Sequence, residues 1–139
     1  MTEGFILKKM EGEKVRWEVE ADLARFLENS NELEGIKFKF YPRNKEPFLI
    51  EADKGRVKEN GRDEIYLKKN VQIKGYLRAN VRCEDLYWDS DSGLMRTSKR
   101  VEIVGEKWQI KGEGMKFSLD GDVITIEKNV SMEINEKPK

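Results

Sequence analysis

The chain contains no histidine, and its only cysteine is Cys83. A disulfide framework is thereby excluded, and a zinc site of the usual histidine and cysteine kind nearly so. The commonest general base is missing, and no nucleophile paired with a base is visible. No run approaches the eighteen or so apolar residues of a membrane span. The first ten residues also lack the apolar core of a signal peptide, which leaves either a cytosolic protein or one separated from its export segment. Charge of one sign is not in excess. Lys plus Arg and Asp plus Glu are 27 each, so no net field draws nucleic acid or acidic lipid.

What is present is charge in alternation. Charged residues make up 39% of the chain, yet they mostly alternate with apolar ones instead of forming blocks. That is the pattern of antiparallel strands with one buried and one wet face. A chain of 139 residues is expected to form one domain, 1–139, burying roughly two-thirds of its unfolded surface.

The stretch from Phe48 to Ile73 organises the rest. Phe48, Ile50 and Ala52 alternate, a turn-like break follows at Asp53 to Gly55, and a short run through Val57 ends at Glu59, Asn60 and Gly61. The pattern then resumes at Ile65, Leu67, Val71 and Ile73. The small-plus-acidic pair Ala52, Asp53 recurs as Ala21, Asp22, as Cys83, Glu84 and as Gly112, Glu113, about thirty residues apart each time. The closing strand recurs in step as Val71, Ile73, then Val101, Ile103, then Val130, Met132, Ile134. Its lead-in KNV appears verbatim at Lys69 to Val71 and at Lys128 to Val130. Four copies of a hairpin-sized unit are implied, the first diverged in its second half. Cys83 stands where the other copies place Ala or Gly, so it is expected to be a small core residue.

Along the chain, Phe5 and Leu7 open a strand that turns at Glu11, Gly12, Glu13. Val15, Trp17, Val19 and Ala21 then alternate with Lys14, Arg16, Glu18 and Glu20. Between Ala21 and Glu28 a helical turn competes, because Leu23, Phe26 and Leu27 have helical spacing, whereas the repeat phase favours strand and a turn at Asn29 to Asn31. Ile36, Phe38 and Phe40 form another strand, and Pro42 to Pro47 is a loop. After a break at Gly75, Leu77, Ala79, Val81 and Cys83 continue, and Leu86 and Trp88 lead to a turn at Asp89 to Gly93. This DSDSG segment is oxygen-rich like a calcium loop, but Arg100 stands where the distal glutamate belongs, so a hairpin turn is favoured. Trp108, Ile110, Met115, Phe117 and Leu119 follow, Asp120, Gly121, Asp122 signal a hairpin, and Ile124, Ile126, Val130, Met132 and Ile134 close the chain. The tail NEKPK is polar.

Gly112, Glu113, Gly114 lacks the context of a phosphate loop. Paired carboxylates meeting in a cleft would be needed for a glycosidase-like enzyme. The first expectation is therefore no enzyme and no cofactor, but an all-β chain with an apolar inner face. A stack of hairpins does not close, so its first and last strands present free amides and carbonyls suited to pairing with another sheet.

Five segments, GEKVRWEVEA (12–21), FLIEADKGRV (48–57), IYLKKNVQI (65–73), LYWDSDSGLMRTSKRVEI (86–103) and WQIKGEGMKFSLDGDVITIEKNVSMEI (108–134), occur in the order seen in the LptC periplasmic domain family. The chain resembles that family, which is related to LptA and the OstA domain, over nearly its whole length. The opening unit with Trp17 and Ala21 ahead of Ala52 favours LptC over LptA. The resemblance implies an open, twisted β-jellyroll of two antiparallel sheets and a role in lipopolysaccharide export. It implies a periplasmic domain tethered to the inner membrane by an N-terminal helix, which this chain lacks. Lipid A acyl chains would lie between the sheets, against Trp17, Val19, Phe38, Phe40, Ile50, Leu67, Val71, Ile73, Val101, Ile103, Phe117 and Ile126. Phe5, Leu7 and Val15 would face the permease of the inner-membrane ATP-driven extractor. Ile124, Val130, Met132 and Ile134 would pair with LptA, and no nucleic acid is expected. An LptA-like bridge protein, or a scaffold that only joins partners edge to edge, is the alternative.

Overall fold

The computed structural model describes residues 2–43, 46–59, 62–76, 78–119, 121 and 123–135. Nine strands follow one another as β1 (Thr2–Glu11), β2 (Lys14–Phe26), β3 (Asn31–Phe40), β4 (Phe48–Glu59), β5 (Asp63–Tyr76), β6 (Ala79–Asp89), β7 (Leu94–Val104), β8 (Trp108–Ser118) and β9 (Ile124–Ile134). Each pairs antiparallel with the next, in the spatial order β1 to β9, so β1 and β9 are the two edges of one sheet. The alternation read from the sequence sets this arrangement, since the strands carry apolar residues on one face and charges on the other. The region 21–28 is strand through Phe26, where Ala24 pairs with Leu33.

The two layers of the jellyroll are the two halves of the same strands. One layer carries the rows Trp17–Phe40–Phe48 and Ile50–Ile73–Val81–Ile103–Ile110–Met132. The other carries Val57–Ile65–Trp88–Met95–Phe117–Ile124. They meet face to face: ring centroids lie 6.4 Å apart for Phe40 and Trp88, 6.4 Å for Phe48 and Phe117, and 4.7 Å for Tyr76 and Phe117. The Tyr76 hydroxyl reaches the carbonyls of Ser118 and Gly121, each at 3.1 Å, tying β5 to the end of β8. A further tie is the 3.2 Å ion pair between Lys9 on β1 and Asp63 on β5.

A row of irregularities divides the halves. The register shifts between Glu51 and Lys54, Lys68 and Val71, Cys83 and Tyr87, Thr97 and Arg100, and Lys111 and Glu113. Such bulges bend strands and re-aim side chains, which lets apolar residues on both sides of the bend face one interior. The repeated motifs sit on this row. The small residues Ala21, Ala52, Cys83 and Gly112 are all buried there, interleaved with Ile36, Val71 and Val101. The KNV lead-ins are the bulges themselves, with Lys69, Asn70 and Asn129 at positive φ.

The acidic partner of each small residue meets the neighbouring strand at its bend. Asp22 covers Gly35, which has φ 63° and where a side chain would collide with the Asp22 carboxylate. Asp53 accepts from the Asn70 amide at 2.7 Å, Glu84 pairs with Lys99 at 3.6 Å, and Glu113 pairs with Lys128 at 3.9 Å. The thirty-residue cadence thus encodes the fold line of the sheet.

Two expected breaks fall differently. Asp53 to Gly55 is no turn: β4 runs unbroken through it, because β5 absorbs the phase change as a bulge at Lys69 and Asn70. Gly75, at φ 81°, lies inside β5, and the chain reverses after Tyr76. The hairpin at Asp89 is a turn as expected, with the Asp89 carboxylate accepting from the Ser92 amide at 2.8 Å. Asn44, Asn60, Gly61, Leu77, Asp120, Asp122 and the tail from residue 136 lie outside the described residues.

Candidate functional site

Eleven of the twelve residues expected on the inner face are buried in one continuous core, from Val19, Phe38, Ile50 and Ile73 at 0% exposure to Phe117 at 2% and Trp17, Val101 and Ile103 at 3%. Ile126 is half-buried and packs against that core. Trp17 and Phe38 lie 5.4 Å apart, and Phe38 stacks on Phe40 at 5.2 Å, so the aromatic side chains fill the space between layers with each other. The interior has one unmet polar demand among the described residues. The indole Nε1 of Trp88 is buried with no hydrogen-bond partner. A donor left so costs about 1–3 kcal/mol relative to a satisfied one.

Coverage fails toward β9. Ile103 is buried, and its cross-strand partner Ile110 is half-buried. The next residue in the row, Met132, is 55% exposed, with Val130 at 55% and Ile134 at 64% beside it. Directly paired residues share a face, so this is the inner surface continuing past the opposing layer into the open. Trp108, paired with Ile134, extends the patch. Of the residues expected at the partner edges, Phe5, Leu7 and Ile124 are half-buried against the core and Val15 is half-buried, while Val130, Met132 and Ile134 are exposed. Sequence reasoning missed Trp108 and Ile110 as rim residues, and Ile6 and Met10 as the exposed apolar side chains of β1. Their alternation gives the face they lie on, and only the register says that nothing covers them.

Several polar groups on the outside have structural partners. Tyr87 donates to Glu64 at 2.6 Å and Arg62 to the same carboxylate at 2.6 Å, which together hold the Glu64 carboxyl below its ordinary pKa. The bond to Glu64 raises the Tyr87 phenol in turn. Burial pushes the Cys83 thiol up to about 12, as befits a core residue. No cluster of histidine, cysteine, aspartate and glutamate able to hold a metal occurs among the described residues.

The family model for lipopolysaccharide assembly, LptC-related, matches residues 10–135. The chain belongs to the LptC family. Its place is therefore in lipopolysaccharide transport, and the family consists of transport and binding components, not enzymes. In this family the LptC domain is periplasmic; no helix of the described residues is long and apolar enough to cross a membrane. No curated protein matches the chain.

Proposed function

We propose that this LptC-family domain relays lipopolysaccharide, receiving it from the inner-membrane permease near β1 and β2 and passing it to LptA at β9. The observation that carries this reading is the inner face left uncovered at Ile110, Val130, Met132 and Ile134. An acyl chain entering between the layers would start at this rim. Keeping one methylene from water is worth about 0.8 kcal/mol, so a twelve-carbon chain represents roughly 9 kcal/mol. The same chain leaves a bilayer of equal apolarity, so its transfer is close to neutral. That suits a relay, since tight net binding would halt transit, and direction must come from an outside energy source.

Edge pairing supplies the contact between partners. β9 offers unpaired backbone groups along its outer edge with apolar side chains standing beside them. A second reading, a scaffold that only joins partners, is favoured by the closure of the interior: Phe38, Ile50 and Ile73 are wholly shielded from solvent.

Photo-crosslinkers at Ile110, Met132, Phe38 and Ile103 separate the two. The relay predicts lipopolysaccharide captured at the rim first and at the interior positions as well, above a control at Glu20 on the outer face. Capture no better than at Glu20 rejects the relay. Met132→Glu is expected to abolish pairing with LptA, read by pull-down, while the melting temperature stays put.

A further inference from the structure

The outer face carries a groove of about 1020 Å³ that runs along the fold line from β4 to β9. Its charges are unevenly used. Every carboxylate lining it is engaged: Asp53 by Asn70, Glu84 and Asp85 by Lys99, Glu102 by Gln109 at 2.6 Å, and Glu113 by Lys128. The cations Lys68, Lys69, Arg82, Arg100 and Lys111 line the same groove, all exposed, and none has a hydrogen-bond or ion-pair partner among the described residues. The register spreads them over β5 to β8, with Gln72, Arg82, Glu102 and Lys111 in one row across the sheet. Donors dispersed in this way suit several separated anionic groups better than one compact ion.

An aromatic platform stands at the end of the groove. Tyr66 is 40% exposed, and it also borders two smaller cavities, of about 500 and 300 Å³. Its cross-strand neighbours on the outer face are Arg56 and Tyr87, and Arg96 lies over the Tyr87 ring at 5.0 Å. An amphipathic ring among cations recognises a ligand that has both an apolar face and negative charge. Phosphate-bearing sugars have both.

We infer that the outer groove along the fold line binds a phosphorylated saccharide, with Arg82, Arg100 and Lys111 on its phosphates and Tyr66 under a sugar ring. This rests on the relay reading in one respect, which is that the saccharide belongs to the lipid whose acyl chains the inner face accommodates. The fold would then hold the two ends of one amphiphile on opposite faces of a single sheet.

The test is a titration of the isotope-labelled domain, followed by amide shifts, with lipopolysaccharide headgroup saccharide stripped of acyl chains but keeping its phosphates. Saturable shifts are expected at Tyr66, Arg82 and Arg100. Arg82→Gln with Arg100→Gln should weaken binding at least tenfold, while Lys14→Gln, on an exposed residue away from the groove, leaves it unchanged. Added salt at about 0.5 M should weaken it severalfold. The inference is overturned if no saturable shift occurs, or if the double variant binds as the wild type does. It is equally overturned if dephosphorylated saccharide, inorganic phosphate or an acidic peptide of equal charge binds as well. Intact lipopolysaccharide captured at Met132 without any saccharide binding rejects the groove alone. Saccharide binding without capture at Ile110 or Met132 supports the groove and rejects the acyl relay.

Discussion

β3 and β9 carry the same kind of pattern and meet different fates. Ile36, Phe38 and Phe40 are exposed by 2% or less, whereas Val130, Met132 and Ile134 are exposed by 55–64%. Each set alternates with charged or polar residues and faces the inside of the sheet. The difference is what lies opposite. Phe40 meets Trp88 across the interior, and β9 extends past the facing layer. An inward residue becomes core only where a second layer reaches it, so this fold has a sealed middle and an open rim built from one repeat.

The largest test of that contrast is truncation on either side of it. Phe38→Ala is expected to destabilise the domain by about 3–5 kcal/mol in urea unfolding, and Met132→Ala by less than about 0.5 kcal/mol. Equal losses would mean that the rim is covered in solution. Thiol chemistry reads the same contrast at the fold line. With its thiol pushed up to about 12 and buried, Cys83 should react with a disulfide reagent on the order of a hundredfold more slowly than a cysteine placed by Val130→Cys. Comparable rates in the native protein would place Cys83 at the surface.

A smaller effect compares the two KNV bends. Asn70 and Asn129 share positive φ, at 53° and 54°, but only Asn70 is bonded to an aspartate on the neighbouring strand. Alanine should cost roughly 2 kcal/mol at 70 and roughly 1 kcal/mol at 129, the common part being backbone strain and the rest the lost hydrogen bond. Equal costs would show that the acidic residue of the repeat does nothing for the bend.

The smallest effect is a pH dependence confined to the covered side. The Ser92 amide, helped by the Ser92 hydroxyl and Arg96, holds the Asp89 carboxyl below its ordinary pKa despite burial. A carboxyl depressed in the folded state stabilises above its unfolded pKa of about 3.9, and that contribution is lost as pH falls through the folded value. Asp89→Asn should therefore flatten the decline in stability below about pH 4. Superimposable acid profiles would rule this out.

Much of the fold was legible. The strands around Trp17, Phe38, Ile50 and Ile73 follow from period-two alternation, and the thirty-residue cadence gave four copies in the right phase. The same cadence was less clear about its own meaning. Asp53 to Gly55 has the composition of a turn, yet β4 runs through it, because the extra residue of the irregularity lies opposite, at Lys69 and Asn70 of β5. The inward face of the candidate site was readable for the same reason, and the identity of the exposed members was not. Ile110 and Ile103 look alike in sequence, and one is half-buried while the other is core.

The amino-acid sequence by itself determined which residues face inward, where the repeat recurs and that the sheet has two unpaired edges, because alternation and a repeat without closure are local properties. The tertiary structure alone decided that each strand belongs to both layers, that the middle is sealed and that β9 is bare. Those outcomes depend on how far one layer extends over the other, and that distance is set by the summed bends of nine strands.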